Sequence, residues 1–176
     1  MVMSRGRLPL ALAMTASAVL ASAARAQAPQ AFKFADAPAA PARPTDHPYG
    51  PPITLEQARL VAQAAEAEAI RRKVDATIAI TDPAGRIVYY ARATGAAYNA
   101  EEMAVKKARS SARSRRPTKY DADRYASGMT ALTASDEIFP FGGGQPIISN
   151  GQVIGAIGAT GGSDDEVARA GATAIR

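Results

Sequence analysis

The sequence predicts an α+β domain with a mainly antiparallel sheet. Two observations lead to this class: there are two pairs of β-rich runs, each joined by a tight turn, and amphipathic helical segments stand before, between and after them. Hairpins separated by helices in this order build a sheet from local pairings, and the helices then cover it.

The first helix is predicted over residues 55–72. Thr54 followed by Gln57 is the spacing of a capping box, and small apolar residues then recur at helical spacing. Residues 77–81 and 87–92 alternate as strands, and Asp82-Pro83-Ala84-Gly85 between them has the composition of a turn. The first hairpin therefore follows the first helix directly.

The second helix is predicted from Asn99, as N-cap, to about Ser114, because Pro117 ends it. At 100° per residue, its buried arc consists of small apolar residues. Lys107 lies at the margin of this face, and two interpretations stay open for it: an ammonium that extends to solvent, or a cation facing a pocket with an acidic ligand. The remaining cations, Lys106, Arg109 and Arg113, fall on the opposite arc and face water.

A third, short helix is predicted over residues 121–128 and a second hairpin over 146–149 and 152–160. Asn150-Gly151 joins these strands, and Asn-Gly is the strongest short hairpin signal.

Two glycines inside the last strand, Gly155 and Gly158, indicate close approach by another backbone or a ligand. Ser163 and the three acids after it are typical of the start of a final helix.

The chain divides into three predicted parts. Residues 1–26 have a basic start, a short apolar run and a small-x-small end at Ala24–Ala26, as in a secretory signal peptide; an uncleaved anchor is the alternative. Residues 27–52 hold seven of the 12 prolines and form an extended tether. Residues 53–176 are the folded domain. The mature protein is then expected in the periplasm or outside the cell, with no membrane association after cleavage.

Composition excludes several kinds of chemistry. The chain has no cysteine, so it has no disulfide, thiolate metal site or cysteine nucleophile, and its single histidine excludes a multi-histidine centre within one subunit. The formal charge is +5, but removal of residues 1–26 leaves 18 basic and 16 acidic residues, a charge of +2. A nucleic-acid partner is therefore not expected.

The glycine motifs do not match nucleotide-binding loops. Gly158-x-x-Gly161-Gly162 opens a helix, but the first turn carries three acids, which repel phosphate, and no Lys-Ser/Thr follows. The order of strand, glycine loop and helix with a later acid that dinucleotides need is also missing.

Two features outside the helices are candidate binding elements. His47 lies in the tether, either as a solvated linker residue or as an axial metal ligand delivered by a flexible arm. Gly142, Gly143 and Gly144 follow two phenylalanines, and three bare amides there would cradle a flat or anionic ligand. A flexible connection between helix and sheet is the alternative.

These residues together resemble the GlcG/HbpS family, also called the haem-degrading or DUF336 domain, as an exported member. The resemblance spans residues 53–176 in family order. It rests on Leu55-Glu56-Gln57-Ala58, on residues 80–88, on Lys107-Ala108-Arg109-Ser110-Ser111-Ala112, on residues 143–147, on residues 153–158 with Gly161-Gly162, and on Asp165-Glu166-Val167-Ala168.

The resemblance implies a profilin-like α+β domain that assembles into homo-oligomers. Family members include haem-binding extracellular or periplasmic proteins, glycolate-operon proteins and the C-terminal domain of cobalamin adenosyltransferase-type proteins. Haem is thus the cofactor it implies, ligated by a histidine near the first helix. In this chain the candidate is His47, which precedes that helix.

Three functional hypotheses follow. The first is an exported module that binds haem or a similar flat cofactor, with His47 as metal ligand, Lys107 paired with a propionate and residues 142–144 as a wall. The second is an enzyme acting on a small hydroxy or keto acid, with Lys107 as anion anchor and Asp82 or Asp136 as general base. The third is a structural homo-oligomer in which the glycines only pack subunits together.

Overall fold

A computed structural model of the chain describes Pro44 and residues 46–175. These residues belong to one compact unit, residues 33–176. The predicted signal peptide and most of the predicted tether lie outside the described residues. None of the helices among the described residues has the length and apolar character needed to cross a bilayer.

The described residues form a four-stranded antiparallel sheet and four α-helices, which confirms the α+β prediction. In chain order the elements are α1 (Leu55–Arg72), β1 (Thr77–Thr81), β2 (Ile87–Arg92), α2 (Ala100–Ser114), α3 (Thr118–Ala126), a 3₁₀ turn (Thr130–Ala134), β3 (Gly144–Ser149), β4 (Gln152–Thr160) and α4 (Asp164–Ala172).

The sheet order is β2-β1-β4-β3, so the two hairpins meet along β1 and β4. Every residue of β1 is buried, because this central strand is covered on both faces. Ile78 and Ile80 pack with α1 and α4 on one face, whereas Ala79 packs with Ala104 and Ala108 of α2 on the other. The molecule therefore has three layers, with the sheet in the middle.

Small residues let α2 lie very close to the sheet. A Cβ at Gly158 would collide with the carbonyl oxygen of Ala104, and one at Gly155 would collide with the carbonyl oxygen of Thr81. The prediction that these glycines mark a close backbone approach is confirmed, and in both cases the approaching group is the chain's own backbone.

The capping predictions have mixed outcomes. Thr54 and Gln57 form the reciprocal capping box. Asn99 makes no cap hydrogen bond, because its backbone is already helical (φ −72°, ψ −14°), and Ser163 makes none from a left-handed backbone (φ 51°). The predicted helix starts are nevertheless confirmed, because Asn99 and Ser163 occupy the N-cap positions of α2 and α4. The spacing of residue types does not determine the backbone dihedrals that a side-chain cap hydrogen bond requires.

Two boundaries also differ from the predictions. Helix α3 begins at Thr118, directly after Pro117 and three residues before the predicted start. Strand β3 begins at Gly144, so part of the predicted glycine loop is sheet, since Gly144 pairs with Gly158.

The end of the predicted tether lies against β4. The amide of Val153 donates to Pro48 at 2.8 Å, the amide of Gly50 donates back to Val153 at 2.9 Å, and the Tyr49 hydroxyl donates to the Arg113 carbonyl at 2.7 Å. Residues 48–50 thus add a short parallel bridge beside the hairpin, and this contact fixes the position of His47.

The contact between α2 and β4 gives a stability prediction. We expect Gly158→Ala to lower the free energy of unfolding by about 1–3 kcal/mol, because the added methyl group meets backbone that cannot rotate away. Urea unfolding followed by circular dichroism measures this.

Gly151→Asn is the control, because the space around Gly151 is open and Asn tolerates its positive φ of 74°. Equal stability of Gly158→Ala and the unsubstituted protein would contradict this description of the contact.

Candidate functional site

Lys107 is buried inside the protein, with only 1% of its side chain exposed. Its Nζ donates to Asp164 Oδ2 at 2.6 Å and to the carbonyl oxygen of Ala159 at 3.0 Å. The ammonium group therefore has partners from β4 and α4. The Lys107 ammonium therefore does not extend to solvent, which was one of its two interpretations. It does face an acid, as the other interpretation required, but that acid is Asp164 of the same chain and not a ligand.

Asp164 links three segments through one carboxylate. Its Oδ2 accepts from Lys107, and its Oδ1 accepts from the amides of Gly161 at 3.0 Å and Gly162 at 2.8 Å. An acid at the N-terminus of a helix is also favoured by the helix dipole. The Asp164 carboxylate thus holds the loop before α4 in place.

Gly143 and Gly144 are buried, and Gly142 is partly buried beside them. The amide of Gly143 donates to Asp165 Oδ1 at 2.7 Å, and the amide of Gly144 donates to the Thr118 hydroxyl at 2.8 Å. A Cβ on Gly142 would stand 2.6 Å from a carboxylate oxygen of Asp165. The expectation of bare amide donors is therefore not met at Gly143 and Gly144, because neighbouring side chains already accept from them.

His47 lies on a separate groove of about 480 Å³, which we call the His47 groove. The imidazole is half-buried, and its Nδ1 lies 3.2 Å from the carbonyl oxygen of Gly151. The rest of the lining is mostly apolar, with two cations and two neutral polar residues: Pro44, Pro117, Pro146, Ile148, Ala172, Ile175, Arg115, Arg169, Gln145 and Thr173. Neither Lys107 nor the three glycines are among the lining residues, so the structure does not bring the predicted site residues together.

The groove has two cations that sequence reasoning did not single out. Arg115 follows α2 in a left-handed conformation (φ 57°), and its Nη1 donates to the His47 carbonyl at 3.1 Å. Arg169 is an exposed residue in the last turn of α4. The sequence carries only their charge as a signal, because their proximity depends on the packing of α2, α4 and the tether.

A larger cavity of about 1030 Å³ lies between the outer face of α2, the β1–β2 turn and residues 133–141; we call it the α2 cavity. Its cationic lining residues are Arg86, Lys106, Arg109 and Arg113, and its acidic ones are Asp136 and Glu137. The prediction that Lys106, Arg109 and Arg113 face solvent is confirmed, but the surface they occupy is concave.

The residues of the predicted enzymatic site are also separated. Asp136 is exposed in the α2 cavity, whereas Asp82 accepts the Arg86 amide at 2.8 Å within the β1–β2 turn. Lys107 does not line this cavity. Over residue 44 and residues 46–175, no group of three or more His, Cys, Asp or Glu side chains is placed to hold a metal ion.

The Lys107–Asp164 pair predicts unequal effects of removing its two partners. Asp164→Ala leaves a buried ammonium with one carbonyl acceptor, so we expect it to lower the free energy of unfolding by about 3–5 kcal/mol. Lys107→Met leaves a carboxylate that is 26% exposed and keeps two amide donors, so we expect a smaller loss of about 1–3 kcal/mol.

Urea unfolding of both variants and of the double variant measures these losses and the coupling between the residues. A larger loss for Lys107→Met than for Asp164→Ala would contradict the assignment of the buried charge.

The sequence and the fold of this chain are similar to those of several known proteins. A protein of Citrobacter freundii, described as an uncharacterised 15.0 kDa protein in the dhaT-dhaS intergenic region, is 33% identical over 118 residues, 65% of this chain and 83% of its own. Protein GlcG of Escherichia coli K12 is 30% identical over 106 residues, 60% of this chain and 79% of its own. The solved structure of a double mutant of Streptomyces reticuli HbpS superposes with a TM-score of 0.66 at 28% identity, covering 79% of this chain and 99% of that one.

The family model described as haem degrading protein HbpS-like matches residues 53–175. That span contains all four strands and all four helices of the described structure. The chain therefore belongs to the HbpS-like family.

Proposed function

We propose that this chain is an exported small-molecule-binding protein whose ligand is haem or a related flat cofactor, held in the His47 groove. Uptake, sequestration or sensing of that ligand would be its role. The description of its family as haem-degrading supports the ligand class. The observation that carries the proposal is the orientation of the His47 ring.

The His47 ring suits an axial ligand. Metal-ligating histidines usually donate their second ring N–H to a backbone carbonyl or carboxylate, which fixes the tautomer. The Gly151 carbonyl, 3.2 Å from Nδ1, is such an acceptor, and a proton on Nδ1 leaves the Nε2 lone pair available. Haem supplies an iron with open axial positions, so one protein ligand is sufficient to bind it.

The groove also suits both the apolar macrocycle and the charged propionates of haem. Side chains such as Pro146, Ile148 and Ile175 offer apolar contact to the macrocycle, and guanidinium groups are the preferred partners of carboxylates such as propionates. Arg115 and Arg169 take this role in the proposal in place of Lys107, because the Lys107 ammonium is already paired with Asp164. The volume of about 480 Å³ is within the range of small-molecule sites, about 300–1,000 Å³.

The same pairing weakens the alternative of an enzyme acting on a small hydroxy or keto acid. That hypothesis needs Lys107 as an accessible anion anchor, and the side chain is almost fully buried. The haem-binding hypothesis depends mainly on His47, and that residue does line a groove.

Absorbance-monitored hemin titration of the purified full chain tests the proposal. We expect a Soret band that is lost or strongly shifted in His47→Ala, because the iron loses its nitrogen ligand. Arg115→Gln and Arg169→Gln should each weaken binding about tenfold, since a charge-assisted hydrogen bond contributes about 1.5–3 kcal/mol.

Arg109→Gln, in the α2 cavity, is the matched control and should bind hemin like the unsubstituted protein. An identical Soret band in His47→Ala, or a loss confined to Arg109→Gln, would reject the His47 groove as the site.

We also propose that the chain is exported and assembles into a homo-oligomer, and one preparation of the protein tests both. Expression of the full chain in a bacterial host should yield a periplasmic or secreted protein that begins at Gln27, because the small residue at Ala26 suits signal peptidase. Mass spectrometry of the purified protein measures where it begins. Light scattering on the same material should give a multiple of the chain mass.

Ala26→Asp is the control and should block processing. Full-length protein retained in the cytoplasm would contradict export, and a monomeric mass would contradict assembly.

A further inference from the structure

The α2 cavity shares no lining residue with the His47 groove, and the proposed haem-binding function does not use it. Two of its arginines, Arg109 and Arg113, are one helical turn apart on α2 and make equivalent contacts. The Nε of Arg109 donates to the carbonyl of Gly85 at 3.1 Å, and the Nε of Arg113 donates to the carbonyl of Ala84 at 3.1 Å. The β1–β2 turn thereby holds both guanidinium groups in place.

The two guanidinium groups differ at their terminal nitrogens. Arg113 Nη1 binds both carboxylate oxygens of Glu137, at 2.6 and 2.7 Å. The terminal nitrogens of Arg109 have no hydrogen-bond partner among the described residues. The cavity therefore contains one guanidinium that already holds a carboxylate and an equivalent one whose terminal donors are open.

Part of the lining of the α2 cavity is aromatic, at Phe139 and Phe141. Phe139 and Phe141 stack with their ring centroids 4.9 Å apart, and Phe141 is 52% exposed. Lys106 Nζ lies 5.9 Å from the Phe139 ring centroid. A stacked aromatic pair with one exposed ring beside cations offers an apolar surface for a flat ligand ring and positive charge for an anionic substituent.

The charge of the lining favours an anionic ligand. Four cationic side chains face two carboxylates, which leaves an excess of two positive charges. One of the two carboxylates, Glu137, is already engaged with Arg113, whereas Asp136 has no hydrogen-bond or ion-pair partner among the described residues.

We propose that the α2 cavity binds a small planar carboxylate, with Arg109 as the carboxylate-binding residue and the Phe139–Phe141 pair as the surface for its flat apolar body. The ligand carboxylate binds Arg109 as Glu137 binds Arg113. Gly85 is part of this arrangement, because its φ is +81° and a Cβ there would stand 3.0 Å from Arg113 Nε and 3.2 Å from Arg109 Cγ. This site does not depend on the proposed haem-binding function.

Calorimetric titration of the full chain with 2-naphthoate, a planar aromatic carboxylate, tests the site. We expect saturable binding that weakens at least about tenfold for the neutral isostere 2-naphthamide and at least about tenfold in Arg109→Gln, since both changes remove a charge-assisted hydrogen bond. The naphthoate affinity of Arg109→Lys should lie between those of the unsubstituted protein and Arg109→Gln, because an ammonium keeps the charge but lacks the planar array of N–H donors.

Arg59→Gln is the matched control: it removes the charge of an exposed arginine on α1, and naphthoate affinity should not change. His47→Ala should also bind naphthoate normally, which separates this site from the His47 groove. Equal affinities for naphthoate and naphthamide, an equal loss in Arg59→Gln, or a loss in His47→Ala would each overturn the proposal.

Discussion

The ion pair between the buried Lys107 and Asp164 connects the elements that give this domain its shape. Lys107 belongs to α2, Asp164 opens α4, and the second acceptor of the ammonium is the Ala159 carbonyl on β4. Burying an ammonium costs several kcal/mol, so the charge is tolerated only because a carboxylate and a carbonyl lie within hydrogen-bond distance. Its position requires α2 to lie very close to β4, and the glycine at 158 permits that approach.

This constraint also determines where ligand chemistry can occur. The loop of residues 142–144 is held by Thr118 and Asp165, and the cation beside it is paired within the chain, so this region is structural. Open donors and apolar surface remain in two other places, the His47 groove and the α2 cavity. Both places use guanidinium groups on, or directly after, helices that pack on the sheet, which limits the conformational entropy lost when a carboxylate binds.

The two places suit different ligands. The His47 groove combines an imidazole with two guanidinium groups and apolar side chains, a combination that fits a metal-containing macrocycle with acidic substituents. The α2 cavity has no histidine and offers stacked rings beside an arginine with open donors, which fits a flat organic anion without a metal. Family membership bears on the first ligand class, whereas the second follows from the arrangement of α2 and the β1–β2 turn.

Local patterns were sufficient to predict most of the fold. The Thr54 capping box and both hairpins depend on residues near in sequence, and the structure confirms them. The glycines of β4 marked a close approach correctly, but the backbones that approach them, at Thr81 and Ala104, are distant in sequence. Helical periodicity also placed Lys107 beside the small residues of α2, but it carried no information about Asp164, 57 positions away. The partners of Gly143 and Gly144, the position of Arg115 and Arg169 around His47, and the contact of Arg109 with Gly85 are likewise long-range. Such pairings arise when layers pack together, and one-dimensional spacing does not encode them because the same helix face can meet many different neighbours.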